Sequence, residues 1–563
     1  MRLSFLIAWA RRFYDKIALI TALSLAGSLA TLAVPWLLAT LAGSLVGDGS
    51  ADLPRTLGLL AAALVLASII NITVAVLSET ASGQILAALR KETHQRLMAM
   101  SIGFHDRSRN GDLLGLMSYE VENLSAFLSS TLTRVPAMLM TAAGAFVILF
   151  LIDPLLTLTI PALIPVFFIG MKLLGRRLRV LGRQARKAEV DIVWLASSDL
   201  EMLPAIKTFA VEDEQRRRYD EAVEKARKVK LRQTRIVAFI QPTIALVAAG
   251  AAIAILLLGS DAVQQGTRSP SELFAFLLYA ALLTRPVGSL GDAYSAFQIA
   301  RGTLARLEAV FAKAPEPGYA QTKLIERAQG AITFEQVSFA YRGRPPVLAG
   351  VNLTIKPGET IALTGENGSG KSTLISLLLR FYDPDSGRIL IDGQDISKVQ
   401  VQSLRRQFGY VPQRPLLLDG SVAENIAFGV PDPDRARIEQ AARAALAWDF
   451  ITDLPRGLET RIGDDGVRLS GGQRQRVALA RALYHDPAIY IFDEATSMFD
   501  LDAEAAFVES CAHVLKGRTV ILITHRPASL ALADRVIHLS RGGLSDVSGT
   551  GSPASLWDGA HAS

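Results

Sequence analysis

Glycine, lysine and serine stand between residues 365 and 372 at the spacing of a phosphate-binding loop, G-x-x-x-x-G-K-S. The pattern predicts a short apolar strand at 361–364 before this run and an apolar helix at 373–379 after it. The glycines allow backbone N–H groups to curl around phosphate oxygens, Lys371 supplies charge to the β and γ phosphates, and the Ser372 hydroxyl binds Mg²⁺. The predicted nucleotide contacts are Gly365, Glu366, Asn367, Gly368, Ser369, Gly370, Lys371, Ser372 and Thr373.

Two adjacent carboxylates end a second apolar strand, which is predicted at 488–492. In a site that binds a nucleoside triphosphate, Asp493 would hold Mg²⁺ and Glu494 would act as the base toward the attacking water. The alternative is a strand that runs into an acidic turn with no chemical role.

These residues lie in the soluble half of the sequence. From about residue 331 to 563, strand and helix patterns alternate, which is typical of an α/β domain. A linker over 311–330 precedes it and contains the Pro-rich run KAPEPG. The sequence therefore predicts an α/β P-loop NTPase domain after an N-terminal domain of residues 1–310.

The N-terminal domain has the composition of a membrane protein. Charged residues make up only 20% of the whole chain and hydrophobic residues 50%, whereas soluble proteins carry about 25% charge. A bilayer core needs about 20 apolar helical residues. Six stretches approach or exceed that length, at 17–47, 57–78, 135–152, 154–171, 236–260 and 273–291. They predict six spans, and we disfavour the alternative of buried core helices because such helices rarely run this long without charge.

Lysine and arginine are concentrated at the N-terminus and in two long loops, 79–134 and 172–235. The positive-inside rule places these segments and both termini in the cytoplasm. The formal net charge of +6 is thereby explained without a nucleic acid partner. The periodicity of both long loops predicts membrane helices that continue well past the bilayer.

A third motif carries a family resemblance. The run Leu469, Ser470, Gly471, Gly472 and Gln473 resembles the signature of ATP-binding cassette (ABC) proteins. The resemblance implies that Tyr341 stacks on adenine, that Gln413 contacts both ATP and Mg²⁺, that Asp500 lies in the D-loop, and that His525 contacts the γ-phosphate. With Lys371 and Glu494, His525 completes the implied catalytic set.

Six spans before one cassette resemble an exporter half-transporter, with short coupling helices near 111–116 and 199–206. In this family the signature of one cassette contacts the ATP of another, so the resemblance implies a dimer. The intact residues Glu494, His525, Gln473 and Lys371 favour a homodimer over pairing with a related half-transporter.

The expected function is export or outward flipping of an amphipathic lipid or hydrophobic compound, driven by hydrolysis of ATP with Mg²⁺, in a bacterial inner membrane. The alternatives are a peptide or small-molecule exporter that forms half of a heterodimer, and an ATP-gated channel or regulator.

Arg285, about 12 residues into the sixth stretch, is the candidate cargo contact. The alternative is that it is an arginine at the inner leaflet with no contact to cargo. Its surroundings resemble the lipid A flippase and multidrug exporter branch.

Overall fold

The computed structural model describes residues 3–46, 53–108, 110–264, 268–463, 466–495, 504, 509, 513–540 and 543–547, with only the backbone described in parts of some helices. Contacts divide the chain into two compact units. The first contains Met1–Glu92 and Gly115–Ala309, and the second contains Thr93–Leu114 and Val310–Ser563. The second unit thus combines the soluble half with a segment of the first long loop. The domain limits 1–310, 311–330 and 331–563 stay a prediction.

Long helices form the first unit, because its apolar runs satisfy their backbone hydrogen bonds internally. The helices up to the linker are α1 (Leu3–Arg12), α2 (Tyr14–Val46), α3 (Leu53–Met98), α4 (Ile102–His105), α5 (Asn110–Gly115), α6 (Val121–Ala126), α7 (Leu132–Ile152), α8 (Pro154–Glu201), α9 (Leu203–Thr208), α10 (Glu212–Gln264) and α11 (Pro270–Phe311), with π-helical turns at Leu116–Glu120 and Phe127–Thr131.

The predicted spans all fall within these helices, apart from residue 47, which lies outside the described residues. Among the described residues, three helical segments are long and apolar enough to cross a membrane: Tyr14–Ser44, Leu53–Met98 and Asp112–Ile152. Pro270–Leu283 is a shorter apolar helix. The number of six spans stays a prediction.

Four helices, α3, α8, α10 and α11, extend far beyond the thickness of a bilayer core, and α8 and α10 are the longest of them. α8 has 48 residues and α10 has 53, so they are about 72 and 80 Å long at 1.5 Å per residue. Ion pairs three residues apart stabilise the exposed start of α10, including Arg227 with Glu224 at 2.6 Å.

The short helix of the second long loop lies later than the predicted 199–206. α8 continues through Glu201, and α9 begins at Leu203. Proline has no backbone N–H and is tolerated in the first turn of a helix. Pro204 therefore starts a new helix here. In the first long loop, α5 occupies residues 110–115, close to the predicted 111–116.

Strands and short helices form the second unit from residue 332 onward. The strands are β1 (Ile332–Ala340), β2 (Pro346–Ile355), β3 (Thr360–Thr364), β4 (Ser386–Ile391), β5 (Gln394–Asp395), β6 (Phe408–Val411), β7 (Gly420–Ser421), β8 (Arg461–Ile462), β9 (Ile489–Asp493), β10 (Thr519–Ile523), β11 (Arg535–Ser540) and β12 (Gly543–Asp546). The helices are α12 (Lys371–Leu378), α13 (Val401–Arg405), α14 (Val422–Ile426), α15 (Arg435–Ala444), α16 (Trp448–Thr452), α17 (Gly471–Tyr484) and α18 (Pro527–Leu530), with 3₁₀ turns at Ile396–Lys398 and Gly457–Glu459.

The main sheet has six strands in the order β12-β11-β3-β10-β9-β6. Its strands from β11 to β6 are parallel, and only β12 is antiparallel. In the register, Ile523 of β10 pairs with Leu363 of β3 and with Asp493 of β9. Three adjacent strands therefore end at the same level of the sheet, and β6 pairs with β9 up to Val411.

Two apolar cores hold this sheet in place. One lies between the main sheet, α12 and the four-stranded sheet β2-β1-β4-β5, and it includes the fully buried residues Ile361 and Leu377. The other joins β9 and β10 to helices α14–α17, through residues such as Val477 and Leu522. α17 and β9 therefore contribute to the same core.

A buried ion pair fixes the linker to the second unit. Arg405 donates to both carboxylate oxygens of Glu316, at 3.0 and 2.6 Å, and Glu316 is only 8% exposed. Arg405 also donates to the Leu379 and Arg380 carbonyl oxygens. Loss of the arginine would leave a buried carboxylate without its partner.

We predict that Arg405→Met lowers the free energy of unfolding by about 3 kcal/mol, because removal of one partner from a buried pair leaves an uncompensated charge. The control is Arg388→Met. This variant breaks the exposed pair of Arg388 with Glu335 and should leave the free energy of unfolding close to that of the wild type, because exposed ion pairs contribute little. Thermal unfolding of the purified full chain measures both, and equal effects would contradict the structural role of Glu316.

Candidate active site

The predicted chemical groups meet at the carboxyl edge of the main sheet. The loop that begins at Gly365 follows β3, and His525 follows β10. Asp493 ends β9 with Glu494 directly after it, and Gln413 follows β6. Because these four strands are neighbours in the sheet, residues that are up to 160 positions apart in sequence converge on one edge.

The loop between β3 and α12 has the shape of an anion cradle. Gly365 has φ +139°, and a Cβ there would lie 2.3 Å from the main-chain oxygen of Leu539. Gly370 has φ +111°, and a Cβ there would lie 3.0 Å from Val347. Glycine is therefore required at both positions. The Ser369 Oγ is buried and meets no hydrogen-bond partner in the described part of the chain, so it is available to a ligand in the loop.

Lys371, the first residue of α12, is only 8% exposed. Its Nζ donates to the main-chain oxygens of Gly365, at 2.6 Å, and Glu366, at 2.9 Å. Burial lowers the pKa of Lys371, and the charges of Glu494 and Asp493 partly oppose that shift. The ammonium group is thus held over the loop by carbonyl oxygens that phosphate oxygens can replace.

The Asp493 carboxylate is partly buried and lies close to Glu494 and Tyr410. Burial raises the pKa of Asp493, and the charge of Glu494 adds to the effect. Tyr410 of β6 donates a hydrogen bond to Asp493. Burial, with the charge of Asp493, raises the pKa of Tyr410 to about 12, so its hydroxyl keeps its proton.

Glu494 is held by three different elements. Its N–H donates to the Ile523 carbonyl oxygen at 2.8 Å, and its own carbonyl accepts from Gln475 Nε2 at 2.9 Å. Its carboxylate accepts from Gln413 Nε2 at 2.5 Å. Glu494 has φ +50°, a conformation that is uncommon for a residue with a side chain.

His525 lies near both the lysine and the glutamate. Burial lowers the pKa of His525, and the positive charge of Lys371 lowers it further, while Glu494 opposes the shift. The imidazole is therefore neutral near pH 7 and can donate one N–H to an oxygen.

The predicted adenine contact lies beside the helix that follows the loop. Tyr341 follows β1, and its hydroxyl lies 3.2 Å from Thr373 Oγ1 of α12. The Tyr341 ring packs edge-on against Phe339 and Tyr382, with centroids 5.0 and 5.4 Å away. The Tyr382 hydroxyl donates to Asp106, which belongs to the loop segment 93–114 of the same unit.

The signature residues form the start of α17. Ser470 caps this helix by accepting from the Gln473 N–H at 3.2 Å, and the Gln473 side chain accepts from the Ser470 N–H at 2.8 Å. Gly471 and Gly472 occupy the first turn, and Leu469 is buried before it. The reciprocal capping leaves a pre-formed helix N-terminus, which favours an anion.

Sequence reasoning missed two residues that support the carboxylates, Tyr410 and Gln475. Tyr410 lies three positions before Gln413, on a strand, and Gln475 follows the signature by two positions. The only sequence signal for them is this proximity to known motifs. Two predicted residues cannot be placed: Asp500 lies outside the described residues, and Arg285 lies on α11 with its side chain outside them.

The side chains present fit Mg²⁺ held together with a nucleotide. Ser372, Asp493 and Gln413 offer hydroxyl, carboxylate and amide oxygens, the ligand type that Mg²⁺ prefers. No cluster of three or more His, Cys, Asp or Glu side chains able to hold a metal occurs within the described residues.

Both the membrane half and the cassette half of this chain match families of known proteins. Residues 17–287 match the family described as ABC transporter transmembrane region, and residues 348–497 match the family described as ABC transporter. An ATP-dependent lipid A-core flippase of Chromobacterium violaceum is 35% identical over 83% of this chain and 80% of its own length. The chain belongs to the ABC transporter family. An ABC multidrug transporter of Aspergillus fumigatus is 33% identical to this ABC transporter over 87% of the chain and 62% of its own length.

A solved structure has the same fold. A bacterial Atm1-family ABC exporter with ATP bound aligns with a TM-score of 0.84 and 26% identity, covering 98% of this chain and 99% of that one. The predicted fold class, a transmembrane helical region followed by a cassette, is confirmed. This ABC transporter is an ATPase coupled to export, as the resemblance to an exporter half-transporter implied.

We predict that Glu494→Gln binds ATP but hydrolyses it at least about 100-fold more slowly, because general-base catalysis contributes about 10²–10⁴-fold. Phosphate release and nucleotide binding by the purified protein measure the two effects. The matched control is Glu335→Gln, an exposed glutamate that pairs with Arg388, which should keep the wild-type rate. Turnover near wild type in Glu494→Gln would show that another group is the base.

Proposed function

We propose that this exporter is a homodimer that hydrolyses ATP with Mg²⁺ and moves an amphipathic lipid or hydrophobic compound outward across a bacterial inner membrane. The observation that carries the proposal is the convergence of the loop, the carboxylates, His525 and Gln413 on one sheet edge. Relatives that are named ATP-dependent lipid A-core flippases, such as the one from Chromobacterium violaceum, support the choice of cargo.

The side chains at this edge divide the work of hydrolysis. Glu494 accepts a proton from the attacking water, and Gln413 must leave the Glu494 carboxylate to free it. Lys371 and the neutral His525 donate to oxygens of the γ-phosphate and stabilise charge that develops there. Mg²⁺, held by Ser372, Asp493 and Gln413, would neutralise phosphate charge during transfer.

The proposed dimer follows from an ATP site that needs the phosphate-binding loop of one copy and the signature of another. The chain has one loop at 365–372 and one signature helix, and the α17 N-terminus with exposed Ser470 is available to the nucleotide of a second copy. No residue whose loss would inactivate one site is replaced, so two equal copies suffice. A related half-transporter remains the alternative partner.

Exposed apolar side chains support a partner at the second long loop. Leu200 is 73% exposed and Phe209 is 75% exposed, on either side of α9. Leu416, after Gln413 in the second unit, is 84% exposed. Apolar groups outside a membrane favour a protein interface. We infer that this loop of one copy docks on the second unit of the other copy.

The membrane topology is proposed from charge and helix position. The described residues of all six apolar stretches lie in helices, and the lysine-rich and arginine-rich loops lie between the second and third and between the fourth and fifth stretches. Six spans with both termini in the cytoplasm satisfy that distribution.

The cargo proposal is tested with the chain alone in lipid nanodiscs. We predict ATP hydrolysis that rises when a lipid A-type glycolipid is added, and we expect Arg285→Ala to reduce the rise, because an anionic headgroup loses its partner. The control is Arg301→Ala, an exposed arginine 16 residues further along α11.

An ATPase rate that does not change with the glycolipid would rule out that cargo and favour a hydrophobic compound such as a drug; the Aspergillus fumigatus relative is named a multidrug transporter. No hydrolysis by the chain alone would contradict the homodimer. ATP-dependent ion conductance without net movement of cargo would favour a channel instead of a pump.

A further inference from the structure

A buried glutamine connects the signature helix to the main chain of the proposed base. Gln475 lies on α17, five residues after Ser470, and is only 1% exposed. Its Nε2 donates to the Glu494 carbonyl oxygen at 2.9 Å. Its Oε1 is buried and has no hydrogen-bond partner within the described residues, so Nε2 is the atom that anchors this side chain.

The main chain at Glu494 needs such an anchor. At φ +50° the residue occupies the left-handed region, which is unfavourable for a side chain with a Cβ and persists only when neighbouring groups hold it. Ile523 of β10 fixes its N–H, and Gln475 of α17 fixes its carbonyl. The peptide between these contacts sets the direction in which the carboxylate leaves the main chain.

We propose that Gln475 is a positioning residue that holds Glu494 in the orientation needed to accept a proton from water. This inference rests on the proposed role of Glu494. Because Gln475 and the signature belong to one helix, a shift of the α17 N-terminus is transmitted to the Glu494 carbonyl. The base of one ATP site therefore responds to the contact that the same cassette makes with the other site.

A shared core supports this transmission. Val477 and Leu479, on the turn after Gln475, are buried in the same core as Phe492 of β9. The helix therefore shares its core with the strand that carries the carboxylates and packs on the neighbouring strand β6, and the hydrogen bond from Gln475 adds a polar contact with the residue that follows β9.

The test is Gln475→Met, which keeps the length and apolar packing of the side chain and removes the donor. We expect kcat for ATP to fall about fivefold, the effect of one hydrogen bond, with KM for ATP within about twofold of wild type. The matched control is Gln407→Met. Gln407 is also a buried glutamine that bonds main-chain groups, Ala328 and Ser403, away from the site, and its variant should keep the wild-type kcat.

A double-mutant cycle separates positioning from a general structural effect. In the Glu494→Gln background, single-turnover hydrolysis should be unchanged by Gln475→Met, because the residue acts through the glutamate. An equal fall in both backgrounds, or an unchanged kcat in the wild-type background, would overturn the inference.

Two further measurements cover a variant that does not fold and a failure of the proposed function. If Gln475→Met does not fold, Gln475→Asn, which keeps the amide on a shorter side chain, should show the same fall in kcat with unchanged KM, and a wild-type kcat would overturn the inference. Wild-type protein that does not hydrolyse ATP, or Glu494→Gln that turns over at the wild-type rate, would overturn the proposed function itself and the inference with it.

Discussion

The alignment of four parallel strands is the constraint on which the active site depends. β3, β10, β9 and β6 are adjacent, and three of them end at the same level because Ile523 pairs with both Leu363 and Asp493. A shift of one strand by a single residue would move its terminal group out of the site and would turn its buried side chains to the opposite face. The side chains that are buried on both faces of the sheet therefore hold the strands in the register that the active site needs, and they also stabilise the fold.

Charged side chains at that edge form hydrogen bonds with uncharged groups of the protein. Lys371 is held by carbonyl oxygens and Glu494 by Gln413. A triphosphate would replace both sets of contacts, because its oxygens compete for the lysine and its Mg²⁺ competes for Gln413. In the proposed cycle, nucleotide binding would thus free the Glu494 carboxylate from Gln413.

The local part of this arrangement could be predicted from sequence, and the long-range part could not. The loop from Gly365 to Ser372 and the signature are each a continuous run in the sequence. Their residue types alone are therefore enough to predict their chemistry. The bond from Gln475 to Glu494 joins residues that only the packing of α17 against the main sheet brings together. The same limit applies to the first loop segment, 93–114, whose contacts place it with the second unit, and to α9, whose start depends on where Pro204 permits a helix to begin.

The central claim is that two copies of this ABC transporter share each ATP at the carboxyl edge of the main sheet. The most direct measurement is an experimental structure of the Glu494→Gln protein in nanodiscs with ATP and Mg²⁺. The account predicts two molecules of ATP, each with its phosphates in the 365–372 loop of one copy and in contact with Ser470 of the other. A triphosphate that is contacted by only one copy, or that lies away from this loop, would contradict it.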